Sequence, residues 1–219
     1  VGQMMDIGQG ANTVISQIFA TALGVEVGAL TLRGADTDIT PDAGKTSASR
    51  QTFVSGNAAR LCGAALRAAI LRHANASDQA VLRFEPGRIV VEEGEARHDI
   101  GTARLEPGLL GYVFWAEETY DPPTRPLDEN GQGHPYAQFG YAAQLAVVEV
   151  DEALGTIRPL HFVAAHDVGL AINPMLVEGQ VQGGIAQGLG MALMEEYLPG
   201  RTENLHDYLI PTIGDVPPI

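Results

Sequence analysis

The sequence is poor in cysteine, in tryptophan and in basic residues, and it has no long apolar run. A single cysteine, Cys62, excludes a disulfide within the chain and any zinc or iron–sulfur site with four cysteine ligands. Thirteen Lys and Arg residues stand against 27 Asp and Glu, and the net charge of −14 is opposite to what nucleic-acid binding requires. From this charge we expect no nucleic-acid partner. No stretch of about 18 or more uncharged apolar residues occurs, so we expect no membrane partner either.

Glycine and apolar residues are abundant instead. The 219 residues include 26 glycines and are 45% hydrophobic, which is enough for one large domain or two small ones with a core. Strand and helix patterns alternate irregularly, and this predicts an α+β fold in which mixed β-sheets are layered with helices. Because the pattern changes from helical to strand-like after Asn75, we predict two lobes, residues 1–78 and 79–219. Both chain ends look cut, so we expect the second lobe to be incomplete at its C-terminus.

Hydrophobic spacing predicts the individual elements. Helices are predicted at residues 12–23, with Gly24 as a stop, at 49–74, and from Asn173-Pro174 to about residue 197. The last of these contains few charges, and we expect it to be buried. Glycines in the second are expected to allow close packing against another backbone. Strands are predicted at residues 1–6, 27–33, 80–84, 88–92, 138–151 and 157–165.

A glycine–glutamine turn near the start of the chain is the first of three motifs that suggest a ligand. In Asp6-Ile7-Gly8-Gln9-Gly10, a Gln stands between two glycines immediately before a predicted helix. Glycine lets a backbone approach a ligand closely, and a glutamine amide carries both a donor and an acceptor. The alternative is a helix cap without a ligand.

The second motif is a hydroxyl-rich loop that enters the second predicted helix, Thr46-Ser47-Ala48-Ser49-Arg50-Gln51. The exposed N–H groups and the positive dipole end of a helix N-terminus suit a phosphate. Ordinary N-capping is the alternative role for the hydroxyls. Arg50 could bind phosphate through two parallel hydrogen bonds or form a surface ion pair.

The third motif lies in the last predicted helix, Gly179-Gln180-Val181-Gln182-Gly183-Gly184-Ile185-Ala186-Gln187-Gly188-Leu189-Gly190. If this helix is buried, the amide of Gln187 needs a hydrogen-bonding partner, because an unpaired buried amide is costly. Gln180 and Gln182 are weaker candidates, since neighbouring backbone could satisfy them.

Taken in this order, the three motifs resemble the molybdopterin-binding large subunit of the xanthine dehydrogenase and aldehyde oxidase family, the molybdenum hydroxylases. The resemblance implies a molybdenum cofactor-binding domain fold and a molybdenum–molybdopterin cofactor, in mononucleotide or dinucleotide form. It also implies that the backbone of Ala48 lies beside the substrate and the metal. The cofactor-binding residues that it implies are Gly8, Gln9, Gly10, Thr46, Ser47, Ala48, Ser49, Arg50 and Gln187.

The same resemblance implies a reaction and partners. The reaction is hydroxylation, with oxygen from water, of a small molecule that is a purine-like N-heterocycle or an aldehyde. The electrons leave through iron–sulfur clusters and FAD, which we expect on other chains or regions, and the rest of the molybdopterin subunit is a further partner. We expect a cytoplasmic enzyme.

The catalytic base of the family is missing from the sequence. It is a Glu in a Gly-x-Gly-Glu segment, and no such segment occurs in residues 1–219, so we expect it beyond Ile219. No catalytic residue is therefore predicted within the chain, which we expect to be inactive alone and to hold the cofactor weakly. The alternative is a non-catalytic pterin- or nucleotide-binding module or cofactor scaffold.

Other polar groups receive structural interpretations. We expect Asp36, Asp38 and Asp42 to cap turns rather than to bind a cation, because they lack the spacing of a calcium loop. His166 and Asp167 could form a pair for proton transfer, but a structural role at the end of a strand is favoured.

Overall fold

The computed structural model describes residues 5–101 and 113–219. It divides into two compact units, Val1–Arg125 and Pro126–Ile219. The first contains α1 (Ala11–Leu23), a short 3₁₀ helix (Val27–Ala29), α2 (Gln51–Ala74), β1 (Val81–Glu85), β2 (Arg88–Glu93) and β3 (Ala96–Gly101). The second contains β4 (Tyr141–Asp151), β5 (Thr156–Asp167) and α3 (Pro174–Leu193). Antiparallel sheets together with helices confirm the α+β class.

Close packing of α1 on α2 forms the helical part of the first unit. Gly24 ends α1 in the left-handed conformation, as predicted, and its N–H donates to the Ala20 carbonyl at 2.8 Å. A Cβ on Gly63 would lie 2.8 Å from the carbonyl oxygen of Phe19 and 2.9 Å from the Cβ of Ala22. Only glycine fits at residue 63, and this confirms the predicted close approach of two backbones.

A three-stranded antiparallel sheet, in the order β1-β2-β3, packs on these helices. The predicted β1–β2 hairpin is confirmed, whereas β3 was not predicted, since only one of its six residues, Ile100, is buried. One hydrophobic cluster joins helices and sheet, and it comprises Leu23, Ile70, Leu71, Ala74, Ala80, Leu82, Ile89, Val91 and Ile100. The lobe boundary predicted at residue 78 therefore falls inside the first unit.

A long antiparallel pair, β4 and β5, opens the second unit, as predicted. The register runs from Tyr141 opposite Asp167 to Asp151 opposite Thr156, with one irregularity between Val147 and Val148. In the connecting turn, Asp151 Oδ1 accepts hydrogen bonds from the N–H groups of Ala153 and Leu154 at 2.9 and 3.0 Å. An aspartate that accepts from its own turn in this way fixes a tight reversal between the strands.

Asn173 and Pro174 begin α3, as the sequence predicts. The side chain of Asn173 accepts a hydrogen bond from the Leu176 N–H at 3.2 Å. The prediction that this helix is buried is wrong. The buried residues of α3 are only Ile185, Leu189 and Gly190.

One further prediction in the first unit needs correction. The strand predicted at residues 27–33 is wrong: a 3₁₀ turn occupies Val27–Ala29, and no ladder forms there. Of the strand predicted at residues 1–6, residues 1–4 lie outside the described part.

Cys62 is half-buried and donates a hydrogen bond to the Ala116 carbonyl at 3.3 Å, and burial raises the pKa of its thiol. None of the helices described is long and apolar enough to cross a bilayer.

Candidate functional site

The Gly8-Gln9-Gly10 turn stands directly in front of α1. Both glycines have positive φ, 107° at Gly8 and 84° at Gly10, so the turn needs glycine at these two places. The Gln9 amide bonds to its own turn: Oε1 accepts from the Ile7 N–H at 2.7 Å, and Nε2 donates to the Met5 carbonyl at 3.1 Å. Gln9 is thus held in place by backbone in this structure.

Asp6 accepts hydrogen bonds from three backbone N–H groups in this turn and at the start of α1. Its Oδ1 takes hydrogen bonds from Gly8 at 2.9 Å and Gly10 at 3.3 Å, and its Oδ2 from Asn12 at 3.0 Å. The hydrogen bond from Asn12, followed by that from Gly8, lowers the pKa of the Asp6 carboxyl. The positive end of α1 is therefore already neutralised by a residue that the sequence analysis did not single out.

The loop before α2 has an unusual backbone. Ala48 and Ser49 are consecutive and both lie in the left-handed region, with φ of 53° and 52°. Residues other than glycine rarely adopt this conformation, and such strain concentrates where a site requires it. The side chains of Ser47, Ala48 and Ser49 are exposed, and Thr46 and Arg50 are half-exposed.

The N-terminus of α2 differs from that of α1 because no carboxylate among the described residues accepts from its N–H groups as Asp6 does at α1, and its N-cap residue, Arg50, makes no side-chain capping bond. The N-capping predicted as the alternative role for Thr46, Ser47 and Ser49 therefore does not occur. Arg50 lies at this end, and a Cβ on Gly44 would be 3.4 Å from its Nη2. Within the described ranges no carboxylate lies at ion-pair distance from Arg50. Uncapped N–H groups beside an unpaired guanidinium suit an oxyanion.

Gln51 joins the loop to the helix. Its Nε2 donates to Thr46 Oγ1 at 2.8 Å, and its Oε1 accepts from Ser55 Oγ. The side chain is buried, with 8% exposed, and is one of two buried polar residues in the described core. Gln51 stands in the second motif but was not among the predicted cofactor-binding residues; its place one turn before Ser55, at the start of the predicted helix, was the available signal.

Gln187 lies in the second unit, on an exposed part of α3. Its glycine neighbours have open space around them, since a Cβ on Gly183, Gly184 or Gly188 would meet nothing within 4 Å. A cavity of about 460 Å³ lies next to this face, lined by Gly179, Gln182, Gly183, Ala186, Val216, Pro217 and Ile219. Gln182 lines this open cavity, and Gln187 is not among its lining residues.

Asp36 and Asp42, two of the three aspartates predicted to cap turns, do so. Asp36 Oδ1 accepts from the Asp38 N–H at 3.0 Å, and Asp42 Oδ1 accepts from the Gly44 N–H at 2.8 Å. No cluster of three metal-ligating side chains occurs in the part of the chain that is described. His166 contacts the Gln144 amide at 3.2 Å, while Asp167 accepts from the Gly169 N–H, so His166 and Asp167 bond to different partners.

Comparison of the sequence with known families gives a match over nearly all of it. The family model described as "Molybdopterin cofactor-binding domain" matches residues 2–217. The xanthine dehydrogenase molybdenum-binding subunit of Escherichia coli O157:H7 is 32% identical over 97% of this chain and 29% of that protein. The carbon monoxide dehydrogenase large chain of Hydrogenophaga pseudoflava is 31% identical over 96% of this chain and 26% of that protein.

Solved structures give the same result for the fold. The aldehyde oxidoreductase from Desulfovibrio desulfuricans aligns with 99% of this chain and 22% of its own, with a TM-score of 0.75 and 28% identity. Quinoline 2-oxidoreductase from Pseudomonas putida 86 aligns with 98% of this chain and 28% of its own, with a TM-score of 0.69 and 28% identity. The chain thus spans less than a third of the length of each of these relatives.

Proposed function

This chain belongs to the molybdopterin cofactor-binding domain family, and from that premise we propose that it supplies part of the cofactor site of a molybdenum hydroxylase. The proposed substrate is an N-heterocycle or an aldehyde. The names of its relatives support this range, since they include a xanthine dehydrogenase subunit, an aldehyde oxidoreductase and a quinoline 2-oxidoreductase. When bound, the molybdenum–pterin group supplies the oxidation chemistry, and the protein binds and orients it.

The observation that carries the proposal is the polar end of α2. Uncapped N–H groups, the hydroxyls of Thr46, Ser47 and Ser49, and an Arg50 that has no ion-pair partner among the described residues all fit the phosphate of a pterin cofactor. The small side chain of Ala48, on a strained backbone, would let substrate and metal approach the loop.

Glutamine amides complete the proposed set. Gly8, Gln9, Gly10 and Gln187 are the further residues that we propose to bind the cofactor. In the structure one N–H of the Gln9 amide bonds to Met5 and its oxygen accepts from Ile7, so a ligand would use the second N–H or the second lone pair of the oxygen. The proposal assigns no catalytic base to residues 1–219.

Partners and location are part of the proposal. Iron–sulfur and flavin groups on other polypeptides or segments would take up the electrons, together with the remaining part of the molybdopterin subunit. One relative, from Paenarthrobacter nicotinovorans, is named as subunit gamma of a dehydrogenase complex, which supports an assembly of several chains. We propose the cytoplasm as the location.

The test is cofactor content. The protein is purified, with the polypeptides that accompany it, from cells that make the molybdenum cofactor, and molybdenum and pterin are measured per chain. We expect both in the wild type and about tenfold weaker retention in Arg50→Ala, because a charge-assisted phosphate contact is lost. Arg60→Ala is the matched control, since Arg60 is exposed on the same helix.

Two results would count against this function. Wild-type protein without molybdenum or pterin would refute the cofactor site itself. Protein that retains a pterin but oxidises no N-heterocycle or aldehyde, even in its assembly, would favour the alternative of a non-catalytic pterin-binding module or scaffold.

A further inference from the structure

A directional chain of hydrogen bonds runs through the start of α2. Ser55 Oγ donates to Gln51 Oε1, and Gln51 Nε2 donates to Thr46 Oγ1 at 2.8 Å. The oxygen of the Gln51 amide thus faces Ser55 and its nitrogen faces Thr46, and an amide accepts on its oxygen and donates from its nitrogen. The Gln51 side chain is buried, with 8% exposed, so both ends of its amide need a hydrogen-bonding partner inside the protein.

The orientation of Gln51 determines what the Thr46 hydroxyl can do. A hydroxyl has one donor hydrogen and two acceptor lone pairs. Because Thr46 accepts from Gln51, its hydrogen remains available for a different acceptor. Thr46 is half-exposed, in the loop that leads to the uncapped end of α2, where the helix dipole favours an anion.

We propose that Gln51 is a positioning residue, which orients the Thr46 hydroxyl to donate to a phosphate oxygen at the N-terminus of α2. The inference rests on the proposed function, since the phosphate is that of the pterin cofactor. Gln51 acts through Thr46 and through the direction of one hydrogen bond. The site would consequently favour a ligand atom that only accepts hydrogen bonds, as a phosphate oxygen does.

A double-mutant cycle tests whether Gln51 acts through Thr46. Thr46→Val removes the hydroxyl, Gln51→Met removes the amide at similar size, and the third variant combines them. The readouts are the rate at which purified holoprotein loses molybdenum and pterin during dialysis, and the unfolding temperature. Thr52→Val is the control, because Thr52 is exposed one residue beyond Gln51.

We expect each single substitution to speed cofactor loss about tenfold, since one hydrogen bond to a charged group is lost or misdirected. The double variant should lose the cofactor no faster than Thr46→Val alone. Thr46→Ser should behave like wild type because it retains the hydroxyl. Effects of Thr46→Val and Gln51→Met that multiply would overturn the inference, as would a Gln51→Met effect confined to the unfolding temperature.

Gln51→Glu gives a second test if Gln51→Met folds poorly. A carboxylate only accepts, so Thr46 would have to donate to it and could no longer donate to phosphate. Gln51→Glu should speed cofactor loss by a larger factor when residue 46 is Thr than when it is Val. In the Thr46→Val protein only the added charge acts. Equal acceleration in both backgrounds would overturn the inference and leave the proposed function standing, whereas wild-type protein without molybdenum or pterin would overturn both.

Discussion

The backbone N–H of Asn12 donates to the carboxylate of Asp6 at 3.0 Å, across the glycine–glutamine turn that precedes α1. Gly8 and Gly10 donate to the other carboxylate oxygen. One side chain thereby satisfies three N–H groups at the start of a helix whose own N-cap, Gly10, has no side chain. The turn is thus held by Asp6 in addition to its glycines.

Asp6 should make the stability of the first unit depend on pH. The pKa of its carboxyl is lowered in the folded chain, mainly by the hydrogen bond from Asn12. Its stabilising contribution is therefore complete above the unfolded-state pKa of about 4 and is lost as the pH falls through the lower folded-state pKa. We expect Asp6→Ala to lower the free energy of unfolding by about 1 kcal/mol or less at pH 7, because the group is partly exposed.

Urea unfolding of wild type and Asp6→Ala at pH 7 and at about pH 2 measures this effect. The difference between the two proteins should be smaller at the lower pH, because the protonated carboxyl loses its charge and keeps only part of its acceptor capacity. Asp6→Asn keeps one acceptor oxygen without a titrating charge, so its smaller deficit should not vary with pH. A deficit of Asp6→Ala that is the same at both pH values would contradict the role of the charge.

Sequence reasoning located most of the helices and strands because their patterns are local. The spacing of Val14, Ile15 and Ile18, with Gly24 behind them, was enough for α1. The strand predicted from the apolar alternation at residues 27–33 was wrong. Alternation indicates an extended chain, whereas a strand also requires a neighbour to pair with. The opposite error occurred at β3, whose exposed polar residues hide a strand that pairs fully with β2.

The candidate site was predicted less completely than the helices and strands, because a local pattern does not show which partners a side chain bonds to. The motif showed that Gln9 stands on a turn, but not that its amide bonds to Met5 and Ile7. Composition suggested that α3 is buried, yet burial depends on what covers a helix and not on its own residues. The hydroxyl loop was located correctly, while Gln51, which links it to α2, was identified only from coordinates.

Arg67 should be a strong determinant of stability in the first unit. Its guanidinium donates to the carbonyls of Leu23 at 3.1 Å and Asp78 at 3.0 Å, and also to that of Ala80. Leu23 and Ala80 are buried, so their carbonyls would lose a partner in Arg67→Met. We expect a loss of about 2–4 kcal/mol in urea unfolding.

Arg60→Met is the matched control, because Arg60 lies on the same helix and bonds only to the Asn57 side chain among the described residues. Its effect should stay within about 0.5 kcal/mol. Equal losses in the two variants would show that Arg67 contributes through helix propensity or stem packing and not through the three carbonyls.

Gly63→Ala should destabilise the chain although alanine is the better helix former. Propensity alone would give a gain of roughly 1 kcal/mol, but the new Cβ would lie 2.8 Å from the Phe19 carbonyl, and backbone cannot move aside easily. We expect a net loss of about 1–3 kcal/mol from overpacking. Gly56→Ala on the same helix should cost less, since its Cβ would meet the flexible end of Ile18 at 2.9 Å.

The ranking of these two variants in thermal unfolding is the measurement. Gly63→Ala should unfold at a clearly lower temperature than Gly56→Ala. The reverse order would mean that α1 can shift away from α2 more easily than Ile18 can rotate.

The strained loop before α2 allows stability and binding to be separated. Ala48 and Ser49 both have positive φ, and the left-handed conformation costs a non-glycine residue roughly 1 kcal/mol. Ala48→Gly and Ser49→Gly should therefore each raise the free energy of unfolding, by up to about 1 kcal/mol, or leave it unchanged where the gain is offset by the entropy of the unfolded chain. Only Ser49→Gly also removes a hydroxyl.

If Ser49 contacts the cofactor, Ser49→Gly should lose molybdenum and pterin faster than Ala48→Gly during dialysis of the purified protein. Ser49→Ala keeps the strain and lacks the hydroxyl, so it should lose the cofactor as fast as Ser49→Gly without any gain in stability. Retention by both Ser49 variants at the wild-type level would remove Ser49 from the proposed site. Faster loss from Ala48→Gly alone would instead show that the fixed backbone of the loop, and not its hydroxyl, holds the phosphate.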